Sequence, residues 1–126
     1  MVFQSAGFIN AFSYMQPESR EYLNKKSINH SDFIPQLINS NLLKNNDLII
    51  TMEWSHKDEI IDSYSIIKKI KEKTFTLKEF NGAKEDLDII DPYYTNRSTY
   101  QKIMQLIDTQ VENLILKIIK IKKNAN

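Results

Sequence analysis

The chain has 126 residues, with 17 basic side chains against 16 acidic ones and a net charge of +1. That balance gives no electrostatic reason to expect a nucleic acid or an anionic membrane as partner. The absence of cysteine excludes disulfides, thiolate metal sites and cysteine-based catalysis by this chain alone. Hydrophobic content of 41% beside 26% charged residues is ordinary for one soluble globular domain, taken as residues 1–126. No apolar run approaches the about 18 residues that span a bilayer. The start, Met1-Val2-Phe3-Gln4-Ser5, lacks the charged-then-apolar layout of a signal peptide, so a cytoplasmic location is expected.

In chain order, Val2 to Ser5 reads as a brief strand ended by Gly7. Pro17 suits the first turn of a helix to about Lys26, with Glu18 and Glu21 near its positive end and Lys25-Lys26 near its negative end. Asn29-His30-Ser31-Asp32 is turn chemistry, and Ile34 to Lys44 is expected to hold a short helix closed by Asn45-Asn46. Leu48-Ile49-Ile50-Thr51-Met52 is a continuous apolar, β-branched run of the kind buried on both faces of a parallel sheet. Ser55-His56-Lys57-Asp58 resembles a capping box and predicts a helix to about Tyr64. Thr74-Phe75-Thr76-Leu77 alternates like a strand, and Asn81-Gly82 turns the chain. Ser98 with Gln101 predicts the cap of a last helix whose Ile103, Ile107, Val111, Leu114 and Ile118 form one apolar stripe. Strands alternating with helices predict an α/β domain with a mainly parallel sheet.

Chemistry is concentrated at Asp91-Pro92-Tyr93-Tyr94. Pro92 keeps the residue before it extended, so the Asp91 carboxylate projects from a loop, and the paired tyrosines can wall a flat substrate. The plainer account is an Asp-Pro turn with tyrosines packed on the last helix. His56 lies three residues from Glu53 and from Glu59, a spacing open to a metal, but a solvated helix face explains it as well and no metal is expected. His30 reads as a turn residue and Trp54 as a side chain buried against the neighbouring helix. Lys117, Lys120, Lys122 and Lys123 complement the helix dipole.

Taken together, the motifs resemble the low-molecular-weight protein-tyrosine phosphatases. Ser5-Ala6-Gly7, Pro17, Asp47-Leu48-Ile49-Ile50-Thr51-Met52-Glu53, Leu77-Lys78-Glu79-Phe80 and Asp91-Pro92-Tyr93-Tyr94 follow one another in that family's order over nearly the whole chain. The resemblance implies a three-layer, flavodoxin-like α/β fold with a four-stranded parallel sheet. It also implies phosphomonoester hydrolysis through a phosphocysteine intermediate, with a phosphorylated protein or aryl phosphate as substrate and no cofactor. By the same resemblance Asp91 is the general acid, Tyr93 and Tyr94 line the substrate cleft with Phe12 or Tyr14 opposite, and Ser5 supports the phosphate loop.

The nucleophilic Cys and its companion Arg, with the strand and helix on either side, have no counterpart here. The chain is therefore expected to be N-terminally truncated relative to the family, missing or replacing the central first strand, and inactive alone. A lost central strand leaves unpaired edges about 4.8 Å from their neighbours. A homodimer through the exposed sheet edge would fill that gap, which makes a non-catalytic, self-associating module the alternative function.

Overall fold

The computed structural model describes residues 1–9, 14–93 and 95–125. Its centre is a pair of three-residue strands, β1 (Ile49–Thr51) and β2 (Thr74–Thr76), built from β-branched and aromatic residues that suit a pleated surface. They run parallel in the register Ile49↔Thr74, Ile50↔Phe75, Thr51↔Thr76. Around them come α1 (Pro17–Lys25), α2 (Ser40–Asn45), α3 (Trp54–Ser63), α4 (Ile70–Lys73), α5 (Leu77–Phe80) and α6 (Arg97–Ala125).

Alternation along β1 makes the molecule three-layered, because neighbouring side chains face opposite ways. Ile49 joins Leu43, Ile60, Ile67 and Ile70, with Phe8, Ile38 and Tyr64 packed on them, beneath α2, α3 and α4. Ile50 joins the other cluster, Leu77, Ile89 and Ile103, with Leu106, Ile107 and Leu114 of α6. This is the open α/β arrangement expected from the alternating elements. The buried threonines are hydrogen-bonded, as buried hydroxyls must be. Thr74 donates to the Ile70 carbonyl at 2.6 Å and Thr51 to the Glu53 carbonyl at 3.0 Å. Lys73 donates to the carbonyls of Leu43 and Asn46, tying the end of α2 to the end of α4 with a cation where the α2 dipole is negative.

The structure departs from the sequence expectation at several boundaries, each for a local reason. Val2 to Ser5 forms no strand: Met1, Val2 and Phe3 stay exposed, and among the described residues the only β pairing there is a single parallel bridge between Gly7 and Leu37. That bridge takes the backbone of Gln36 to Ile38, so the expected helix before Lys44 shrinks to Ser40–Asn45, its first turn capped by Asn39 through the Leu42 N–H at 3.0 Å. Leu77 leaves the strand to open α5, because Thr76 and Glu79 form a reciprocal capping box. The last helix starts at Arg97, where Asn96 accepts from the Thr99 N–H at 2.8 Å in place of the expected Ser98 cap. Its apolar stripe is interrupted, since Val111 faces outward, 39% exposed. Among the described residues β1 pairs on one side only, with β2, so the sheet has two strands where the family resemblance implies four.

Leu77 is 1% exposed and Ile66 98%. Leu77→Ala is expected to lower stability by about 2–5 kcal/mol, whereas Ile66→Ala should stay within about 0.5 kcal/mol. Urea-unfolding midpoints at constant m compare the two.

Candidate functional site

In open α/β folds the space beyond the carboxyl ends of the strands is where ligands are held. Here β1 ends at Thr51, and Met52 and Glu53 lead directly into α3. A loop from the other side of the chain docks on this junction: the Ile89 N–H donates to the Met52 carbonyl at 2.8 Å, and Asp88 accepts from the Trp54 N–H at 2.7 Å. Ile89 is 2% exposed in the α6-side core, which sinks the loop's midpoint and leaves its end in solvent.

That end is the Asp91 turn. Asp91 is exposed, and its Oδ1 accepts from the Tyr93 N–H at 2.9 Å, an Asx turn that aims the carboxylate back over the following residues. Thr95 closes the turn by donating both its N–H and its hydroxyl to the Pro92 carbonyl. The structure thus brings Asp91 and Tyr93 into one exposed corner; Tyr94 and Phe12 lie outside the described residues. Tyr14 is 54% exposed, its ring 5.8 Å from the Arg20 guanidinium. Ser5 is exposed at the far end of the Gly7–Leu37 bridge, its carbonyl held by the Gln36 side chain at 2.8 Å.

Four side-chain roles were not legible in the sequence. The Ser55–Asp58 capping box does not form the start of α3; the helix begins at Trp54, Glu53 gives no side-chain cap, and Asp88 takes over from a distant loop. Trp54 is not buried: it is 38% exposed under the Lys57 ammonium, 4.3 Å from the ring centroid. Lys57 also pairs with Glu79 at 2.9 Å, joining α3 to the capping box of α5. Ser19 meets the Tyr100 hydroxyl at 2.7 Å across the α1–α6 contact. Apart from the local Trp54–Lys57 stack, these are pairings between residues far apart in the chain, which spacing cannot reveal. His56 sits 3.3 Å from Glu53 and against the Phe8 ring, and His30 meets Asn24. Among the described residues no group of three or more His, Cys, Asp or Glu is placed to hold a metal ion.

The flank of the site is polar. α1 has no buried residue and is held to α6 by Tyr22 donating to Asp108 at 2.9 Å, by Lys26 on the same carboxylate at 2.5 Å and by Arg97 on Glu21 at 2.7 Å. A groove of about 190 Å³ runs between the helices, lined by Glu18, Glu21, Arg97, Tyr100 and Met104 among others. Burial raises the pKa of the Tyr100 hydroxyl, the Ser19 hydrogen bond opposes the rise, and the Glu18 and Asp91 carboxylates add to it.

The fold is an open α/β domain with an exposed aspartate turn near the carboxyl end of β1. The sequence matches the low molecular weight phosphotyrosine protein phosphatase family over residues 1–125, and the chain belongs to that family. A low molecular weight protein tyrosine phosphatase from T. tengcongensis is 30% identical, with a TM-score of 0.78 over 90% of this chain and 76% of that one. The YwlE arginine phosphatase from Geobacillus stearothermophilus superposes with a TM-score of 0.85 at 23% identity, over 98% of this chain and 77% of that one. YfkJ from Bacillus subtilis gives 0.82 at 22% identity, over 94% and 74%. No curated protein matches the sequence. No helix among the described residues is long and apolar enough to cross a membrane.

The polar clamp on α1 has a defined pH window. Hydrogen bonds from Lys26 and Tyr22 hold the Asp108 carboxyl below its ordinary 3.8, so its contribution is present above that value and lost as pH falls through the lowered one. Lys26 is raised above 10.5, chiefly by its hydrogen bond to Asp108, and Tyr22 above 10.0, by desolvation first, so theirs is present below those values and lost as pH rises through the raised ones. Protection of α1 amides from hydrogen exchange is expected to persist between these limits and to fall at both extremes. Asp108→Asn should raise α1 exchange several-fold at neutral pH while leaving β1 and β2 amides unchanged.

Proposed function

We propose that this chain is a phosphatase scaffold that carries the general acid of phosphomonoester hydrolysis and performs no turnover by itself. The single observation behind this reading is the pairing of an exposed, oriented Asp91 with a sequence that contains no cysteine. In the two-step chemistry of the family, a thiolate attacks phosphorus and forms an S–P bond as the P–O bond to the leaving group breaks. An acid delivers a proton to the departing oxygen, then as carboxylate takes one from the water that cleaves the S–P bond. Asp91 is the candidate for that proton donor and acceptor. Tyr93, 41% exposed in the same turn, offers a flat apolar wall to an aryl phosphate or a phosphorylated protein side chain.

The thiolate, and the cationic cradle that would hold the phosphoryl oxygens, have to come from other polypeptide. The unpaired side of β1 is a ready place for an added parallel strand, because its N–H and C=O groups have no strand partner among the described residues. The same free edge favours the second reading, a non-catalytic module that self-associates through its sheet.

Aryl-phosphate hydrolysis tests the proposal, comparing this chain with a fusion to the cysteine- and arginine-bearing N-terminal segment of a family phosphatase. The chain alone is expected to show no turnover above buffer. The fusion should turn over, and Asp91→Asn should slow it by about 10²–10⁴-fold. Hydrolysis by the unfused chain that disappears in Asp91→Asn would overturn the reading.

A further inference from the structure

The loop that carries Asp91 grips the β1–α3 junction by two bonds that bracket a single residue. On one side of Glu53 the Met52 carbonyl accepts from Ile89; on the other the Trp54 N–H donates to Asp88. A carboxylate belongs at a helix N-terminus on electrostatic grounds, since it meets both an unsatisfied N–H and the positive end of the dipole. What is unusual is its source. Glu53, in the capping position, contributes no side chain, and the first amide of α3 is satisfied from 34 residues further along the chain.

The consequence falls on Asp91, three residues after Asp88. Ile89 is pinned by its backbone bond and by 2% exposure in the core, Pro92 has a fixed φ, and the Asp91 carboxylate is already turned onto Tyr93. Among the described residues, Ile90, 56% exposed, is then the link between the two aspartates that joins neither core cluster. We propose that Asp88 is a positioning residue: its carboxylate latches the loop to the first turn of α3 and so sets where Asp91 stands over the ends of the strands. The functional meaning of the latch rests on reading Asp91 as the general acid; the latch itself does not.

The test is residue-resolved amide exchange on the full 126-residue chain, comparing Asp88→Ala, Asp88→Asn and the exposed control Glu85→Ala. Asp88→Ala should speed exchange at Ile89 and Tyr93 by about five-fold or more, the usual scale of a lost cap. Asp88→Asn, which keeps an oxygen acceptor, should stay within about two-fold of the parent, as should Glu85→Ala. A role confined to capping would instead move the first amides of α3 and spare the loop, and that outcome overturns the proposal. So does equal acceleration across β1, β2 and α6, or failure of Asn to rescue. In the catalytic fusion, Asp88→Ala should depress kcat more for poor leaving groups than for good ones, with KM unchanged. If loop exchange responds and leaving-group dependence does not, the latch stands and the general-acid reading of Asp91 falls.

Discussion

The junction between β1 and α3 carries more of this structure than its size suggests. Each strand has only three residues, so the sheet by itself offers few hydrogen bonds. The chain compensates by fastening its long return loop to the point where the central strand becomes a helix, through the Ile89 and Asp88 bonds to Met52 and Trp54. Ile89 then enters the same apolar cluster as Leu77 and Ile103, which couples the loop to α5 and α6. Fold and candidate site share this one fastening, and the loop cannot shift without exposing a core residue.

Away from that point the domain is held by two different kinds of force. The clusters around Ile49 and Ile50 are apolar and close-packed, and their contribution scales with the area removed from water. Apart from the Ser19–Tyr100 bond, the contact of α1 with α6 is a set of hydrogen bonds and ion pairs on side chains that keep much of their surface in solvent, where each is worth little. The two should therefore open with different free energies, α1 near the bottom of the range and the sheet core near the top. One wall of the groove beside the site is accordingly its most easily displaced part.

Function follows the site and not the scaffold. The scaffold is that of a phosphatase family, and its exposed Asp91 turn is ordered by an Asx hydrogen bond and a proline. Phosphoryl transfer through a covalent intermediate also needs a nucleophile of low pKa, and no side chain of these 126 residues supplies a thiol. Scaffold and thiol chemistry are separable, since the family match spans residues 1–125 of a sequence without cysteine.

The sequence by itself determined the class of fold and the local turn at Asp91. The β-branched run at Ile49–Thr51, the alternation at Thr74–Thr76 and the 3.6-residue periodicity of Ile103, Ile107 and Leu114 are local patterns, and local patterns set local structure. Asp91-Pro92-Tyr93-Tyr94 was equally visible, because proline and aspartate act on their immediate neighbours. Only the tertiary structure decided who caps α3, that Trp54 faces solvent beneath Lys57, that Val111 turns outward, and that Val2 to Ser5 finds no partner strand among the described residues. Each of these depends on a residue tens of positions away, or on whether an apolar surface exists to receive the side chain. Such facts belong to packing in three dimensions, where spacing along the chain holds no information.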